Sequence, residues 1–279
     1  MNEPGAMTVG EAIRAAAERL AAVSDTARLD AELLMAHALG LTRSDMLLRA
    51  MRDPAPADFA ALVERCAGHE PVAYITGTVE FYGLELRVTP ATLIPRGDSE
   101  TLVAAALDHA RATGRALDLG TGSGALLLAL LAERGEWNGV GVDASPAALA
   151  VAQDNAAALG LSERSQWQVR DWRTIGWHDG LGTFDLVLCN PPYVESDAVL
   201  DRQVRDHEPA TALFAGPEGL DDYRVLIPQL GKLLVPGGVA IFEIGATQAA
   251  AVSAIAAAAG FAAELRRDLA GRPRVLLLR

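Results

Sequence analysis

Beyond Arg115 the sequence alternates short apolar runs with helical stretches, and no other feature restricts the fold so strongly. Residues 116–119, 140–142, 167–169, 184–189 and 239–244 read as strands, with helices over 125–133, 145–159, 220–234 and 247–259. Parallel strands need long crossovers, and helical crossovers cover both faces of the sheet they connect. Two closing strands, 262–265 and 274–278, lie too close in sequence for such a crossover and are expected to form an antiparallel hairpin. The expected class is therefore α/β, with a Rossmann-like sheet of seven strands.

Residues 8–68 follow a different period. Thr8 is placed to cap a helix in which Val9, Ile13, Ala16, Ala17, Leu20 and Val23 recur at helical spacing. A second helix over 29–39 stops at Gly40, a short third covers 45–49, and a fourth carries Phe59, Leu62, Val63 and Cys66 on one face. Alternation around Gly83, with Val79, Phe81, Leu84, Leu86 and Val88, then predicts a β-hairpin. Leu93-Ile-Pro-Arg-Gly-Asp-Ser-Glu100 leads into a helix over 101–111 that Asp98 or Ser99 is expected to cap. The organisation read from these patterns is a small helical domain at 1–70 for substrate recognition, a hairpin linker at 71–97, and the sheet domain at 98–279.

Charge narrows the function. The 36 acidic residues outnumber the 24 basic ones, for a net charge of −12, which argues against a surface that tracks nucleic-acid phosphates. A protein partner with a basic patch stays compatible. Cys66 and Cys189 have neither metal nor redox spacing and read as free thiols in a reducing compartment. The five histidines show no ligand spacing, so no metal is expected. No apolar run approaches a membrane span and the N-terminus lacks signal-peptide order, so a cytoplasmic, monomeric protein is expected.

Asp118-Leu-Gly120-Thr121-Gly122-Ser123-Gly124 lies between the first strand of the alternating region and its helix. Glycines there let the backbone turn tightly and approach a ligand, and the helix start offers free N–H groups. The G-x-G-x-G spacing departs from the G-x-G-x-x-G of dinucleotide sites. Asp143 ends the next strand, about 20 residues on, where a carboxylate can bind both ribose hydroxyls. A nucleoside with a small charged tail, such as S-adenosylmethionine, fits better than NAD. Asp171-Trp172 ends the third strand with an acceptor and an aromatic wall for adenine.

The fourth strand stops at Asn190-Pro191-Pro192-Tyr193. Two prolines stiffen the backbone and remove two donors, leaving carbonyls that no local N–H reaches. With the Asn190 side chain and an aromatic ring close by, this cluster suits a planar –NH2 group. All four polar clusters fall beyond the carboxyl ends of strands, the edge on which open α/β sheets bind ligands.

These stretches resemble a known family. The sheet half is similar to class I S-adenosylmethionine-dependent methyltransferases, and Asn-Pro-Pro-Tyr to their amino-methylating branch. Pro71-Val-Ala-Tyr-Ile-Thr-Gly77, Glu80-Phe-Tyr-Gly83, Thr92-Leu-Ile-Pro-Arg96, Asp171-Trp172 and Glu208-Pro-x-x-Ala-Leu213 resemble the HemK/PrmC family, which methylates N5 of a glutamine in peptide chain release factors. The resemblance covers nearly the whole chain. It implies that Gly120, Thr121, Gly122, Ser123, Gly124, Asp143, Trp172 and Asn190 contact S-adenosylmethionine. It also implies that Asn190, Pro191, Pro192 and Tyr193 hold the glutamine of a Gly-Gly-Gln motif, with Asn190, Pro191 and Tyr193 catalytic. Gly97 and Ser99 depart from the family's usual proline and threonine; serine for threonine is a mild change, and Gly97 loosens the backbone entering the following helix.

An amide nitrogen is a weak nucleophile, so the expected mechanism is positional. Asn190 Oδ1 and the Pro191 carbonyl accept its two N–H bonds, Tyr193 packs on the glutamine side chain, and no general base is needed. Two other readings share these features: an adenine-N6 methyltransferase acting on DNA or RNA, and a non-catalytic protein that binds S-adenosylmethionine. The first would need a basic groove, which the sequence does not show.

Overall fold

The computed structural model describes residues 7–279, in two compact units. The first contains the described residues up to Thr78 together with Leu200–His207. Its helices are α1 (Val9–Leu20), α2 (Ala27–Leu39), the single turn α3 (Arg43–Asp45), α4 (Phe59–Ala67) and α5 (Val72–Thr76). Thr8 does cap α1, in a capping box: Thr8 Oγ1 accepts from Glu11 N at 3.3 Å and Thr8 N donates to the Glu11 carboxylate at 2.9 Å. Gly40 ends α2 with φ 63°, a conformation that glycine adopts without strain. The third element is a π-helical turn, Met46–Ala50. Val9, Ile13, Leu20, Leu34, Met35 and Met46 are fully buried in one core. A short helix α9 (Arg202–His207) also belongs to this unit, where Gln203 Nε2 donates to the Val23 carbonyl at 3.4 Å.

The second unit holds Val79–Val199 and Glu208–Arg279. The predicted hairpin forms as β1 (Thr78–Phe81) and β2 (Leu84–Arg87), turning at Tyr82 and Gly83, both at positive φ as a tight two-residue hairpin turn requires. Seven further strands make the sheet: β3 (Gly114–Leu119), β4 (Trp137–Asp143), β5 (Ser165–Val169), β6 (Phe184–Cys189), β7 (Leu234–Glu243), β8 (Ala263–Arg267) and β9 (Pro273–Leu278). Their order is β5-β4-β3-β6-β7-β9-β8, parallel through β7, with β9 antiparallel to both β7 and β8. The expected closing hairpin is present. The order reverses between β3 and β6, so the switch point opens at their carboxyl ends.

Alternate residues of one strand feed two cores. On β6, Leu186 and Leu188 join α6 (Glu100–His109) and α7 (Ala125–Glu133), while Val187 and Cys189 face the other layer. That second layer is α10 (Asp221–Leu226), a 3-10 turn over Ile227–Lys232, and α11 (Ala249–Ala258). Burial on both faces is why these strands read as unbroken apolar runs. The helix expected over 220–234 is α-helical only to Leu226, because Pro228 cannot donate an i→i−4 hydrogen bond. The remaining helix, α8 (Pro146–Ala158), has Ser145 as its cap, accepting from Ala148 N at 3.2 Å. Among the described residues no helix is long and apolar enough to cross a membrane.

Candidate active site

The glycine loop joins β3 to α7 and is held by the neighbouring strand: Gly120 N and Thr121 N both donate to the Val142 carbonyl, at 2.9 and 3.0 Å. Thr121 Oγ1 donates to Asp118 Oδ2 at 2.6 Å, inside the sheet. Burial pushes the Asp118 carboxyl up to about 7, against the Thr121 and Leu127 hydrogen bonds that lower it. Gly120 has φ 69°, and a Cβ there would stand 3.1 Å from the Trp172 ring, so this glycine lets the indole lie against the loop. Gly122 has φ 55° and a Cβ there would meet nothing within 4 Å.

One cavity of about 500 Å³ opens at this edge, a volume suited to a nucleoside-sized ligand. Gly120, Thr121, Gly122, Ser123, Asp143, Trp172, Asn190 and Pro192 all line it. Gly124, Pro191 and Tyr193 do not. Gly124 packs inward, where a Cβ would meet Trp167 at 2.9 Å, and it serves the helix start. The cavity wall is completed by residues from three other segments, including Phe81, Thr92, Pro95, Ser99 and Thr211.

Asp143 accepts from Gly122 N through Oδ2 and from Ser145 N through Oδ1, each at 2.9 Å. Burial raises its carboxyl above the usual range, opposed by these backbone donors. Each oxygen keeps a further lone pair for a ligand hydroxyl. Trp172 is fixed by its indole N–H, which donates to Asp222 Oδ1 at 2.7 Å, and Arg173 holds the same carboxylate at 2.9 Å. Asn155 clips loop and hairpin together: its Nδ2 donates to the Ser123 and Arg87 carbonyls, and its Oδ1 accepts from Arg87 N at 2.7 Å.

At the end of β6, Asn190 Nδ2 donates to Ser99 Oγ at 3.4 Å. Among the described residues no donor reaches Asn190 Oδ1 or the Pro191 carbonyl. Tyr193 packs with Trp172 against the second core, and its hydroxyl donates to Glu243 Oε1 at 3.2 Å. Burial and the adjacent Glu243 charge raise the Tyr193 phenol, so it stays protonated. Glu208 is buried, accepts from Ile94 N at 3.2 Å and pairs with Arg96.

Ser99, Asp222 and Glu243 escape the sequence reading as site residues. Glu243 carries a usable signal, since it ends β7 on the same edge as the four polar clusters. Asp222 carries none, being 50 residues from the indole it holds. Ser99 occupies the first-cap position of α6 yet makes no capping bond, and Asp98 pairs instead with Arg272 and Arg274.

Known proteins resemble the chain over nearly its whole length. Residues 11–77 match the family model of the PrmC N-terminal domain, and residues 116–205 match a methyltransferase domain. A release factor glutamine methyltransferase of Cereibacter sphaeroides is 42% identical over 281 residues, covering 98% of this chain and 99% of the relative. Enzymes of the same name from Rhodospirillum rubrum and Moorella thermoacetica are each 41% identical, covering 99% and 97% of this chain and 86% and 98% of the relatives. The crystal structure of a methyltransferase from Pyrococcus furiosus superposes with a TM-score of 0.50 at 17% identity, over 77% of this chain and 95% of that one, and shares the fold.

Proposed function

The chain belongs to the release factor glutamine methyltransferase family, and from that premise we propose how its cavity performs the reaction. The protein transfers a methyl group from S-adenosylmethionine to the side-chain amide nitrogen of the glutamine in the Gly-Gly-Gln motif of peptide chain release factors. One observation carries the placement of the chemistry: Asn190 and Pro192 line the same cavity as Gly120, Gly122, Asp143 and Trp172.

The residues fit the methyl donor. Gly122 leaves open space where any side chain would intrude, Asp143 keeps acceptor capacity for ribose hydroxyls, and Trp172 forms a fixed aromatic wall. When bound, S-adenosylmethionine supplies an electrophilic methyl group on a sulfonium. The protein's own part is to position the nucleophile. Asn190 Oδ1 and the Pro191 carbonyl, both free of protein donors, accept the two N–H bonds of the substrate amide. That fixes the nitrogen for in-line attack, an effect of orientation and preorganised dipoles. Tyr193, a protonated phenol, is no base, and the proton leaves after methyl transfer. The helical domain and hairpin are the surface read for the protein substrate, with the acidic chain favouring a basic partner. The protein acts as a cytoplasmic monomer in this reading.

The test is labelled-methyl transfer to a purified release factor, with its Gly-Gly-Gln→Gly-Gly-Ala variant and an adenine-containing oligonucleotide as controls. Label on the unaltered factor alone is expected. Label on the oligonucleotide would move the activity to the nucleic-acid branch.

A further inference from the structure

The Pro191 carbonyl belongs to a segment that cannot hold itself in place. Pro191 and Pro192 have no N–H to offer a neighbour, and β6 ends at Cys189, so the stretch depends on what grips it beyond the prolines. Val194 pairs there with the segment after Glu208: its N–H donates to the Leu213 carbonyl at 2.8 Å and its carbonyl accepts from Ala215 N at 2.9 Å. The Tyr193 carbonyl, one residue nearer the site, has a different partner. It accepts from Gln248 Nε2 at 3.0 Å.

Gln248 is buried, and its amide is shared among three segments. Oε1 accepts from Gly245 N at 3.0 Å, while Nε2 donates to the Gly219 carbonyl at 3.2 Å as well as to Tyr193. A backbone N–H only donates and a carbonyl only accepts, so one orientation of the amide satisfies all three partners. The packing is equally exacting. Gly219 has φ 65°, and a Cβ there would stand 2.2 Å from the Tyr193 oxygen and 2.7 Å from Gln248 Nε2. Gln248 also occupies the cap position of α11 without its side chain capping the helix, so helix formation does not account for where this amide points. With the Pro192 ring locking φ, few free torsions separate the Tyr193 carbonyl from the Pro191 carbonyl.

Building on the role given above to the Pro191 carbonyl, we propose that Gln248 is a positioning residue for methyl transfer, anchoring the Tyr193 carbonyl and thereby fixing where the Pro191 carbonyl meets the substrate amide. Gln248 touches neither donor nor substrate in this role; it acts through the backbone of Asn-Pro-Pro-Tyr.

The experiment uses the full chain with a purified release factor and compares Gln248→Glu, Gln248→Ala and Gly219→Ala with the unsubstituted protein. Glutamate keeps the volume and the acceptor for Gly245 N but turns lone pairs toward two carbonyls. Gly219→Ala displaces the same Tyr193 oxygen by contact, with the glutamine intact. Turnover is read by label transfer at saturating donor and factor, and donor affinity by calorimetry. Fluorine NMR of protein made with fluorotyrosine reports on the four tyrosines, Tyr193 being assigned by its loss in Tyr193→Phe. Each variant should lower kcat about tenfold, the effect of one lost hydrogen bond, with donor Kd unchanged and the Tyr193 signal shifted. A purely structural Gln248 would lower the unfolding temperature and leave kcat of the folded variants intact, which overturns the proposal. So does an unshifted Tyr193 signal, or donor affinity falling as far as kcat. Should one variant fail to fold, the remaining two decide on the same criteria. Failure of the unsubstituted protein to label the factor would instead overturn the functional reading, and the Tyr193 signal would still decide whether Gln248 anchors the segment.

Discussion

At the scale of single residues, Asn190 is the group whose removal should separate chemistry from binding. Its oxygen has no protein donor, so it is available to an N–H bond that matters most as the nitrogen attacks. Removing one preorganised hydrogen-bonding group of this kind typically costs about 10²–10³ in kcat. Asn190→Ala is expected to lose turnover in that range while calorimetric affinity for S-adenosylmethionine changes by less than about threefold. Equal losses in both would show that the side chain mainly holds the donor. Asn190 was legible in the sequence because Asn-Pro-Pro-Tyr stops an apolar strand with unpaired carbonyls. Tyr193 was legible as a member of the cluster but not in its contacts, since its Glu243 partner lies 50 residues away.

At the scale of elements, the glycine loop makes two distinct demands that substitution can separate. An alanine at positive φ costs about 1–2 kcal/mol at either Gly120 or Gly122. At Gly120 the new Cβ also meets the Trp172 ring at 3.1 Å, whereas at Gly122 it enters cavity space. Gly122→Ala should therefore keep native tryptophan fluorescence and lose donor affinity, while Gly120→Ala should change both. Identical spectra for the two variants would remove Trp172 from the wall. A second pair of elements is tied by Glu208, whose buried carboxylate receives Ile94 N–H and Arg96. Glu208→Ala leaves that backbone donor unpaired and should cost about 1–3 kcal/mol in urea unfolding, with a higher KM for the release factor. A raised KM is the informative part, because an unaltered one would confine Glu208 to stability. The strands around these loops were readable from doubly buried apolar runs such as Phe184–Cys189. Helices α5 and α9 were not, being five and six residues long and stabilised by distant contacts, not by a periodic face.

At the scale of the whole molecule, unfolding is what reports on the most deeply buried acid. The parallel sheet and its ligand edge could be read from the alternation of elements, but the inward direction of Asp118 could not, because a carboxylate in a loop-leading position looks like a site residue. Asp118 instead lies fully buried under Thr121, with its carboxyl raised to about 7 by burial. The unfolded chain has an ordinary aspartate near 4. Between those values the folded protein holds a proton that the unfolded chain releases, so raising the pH favours unfolding. The stability contributed by this proton is fully present below roughly pH 4 and is lost as pH rises toward 7, at up to about 1.4 kcal/mol per pH unit. Asp118→Asn keeps an acceptor for Thr121 and cannot ionise, so it should lack this component of the slope. Guanidinium unfolding of both proteins at pH 5 and pH 8 isolates the difference from the other carboxylates, including Glu243 and Asp143, which remain in each. The variant is expected to gain on the native protein between the two pH values by a few kcal/mol. Parallel pH dependences would mean that Asp118 is ionised in the folded state and that its charge is met by a partner inside the sheet.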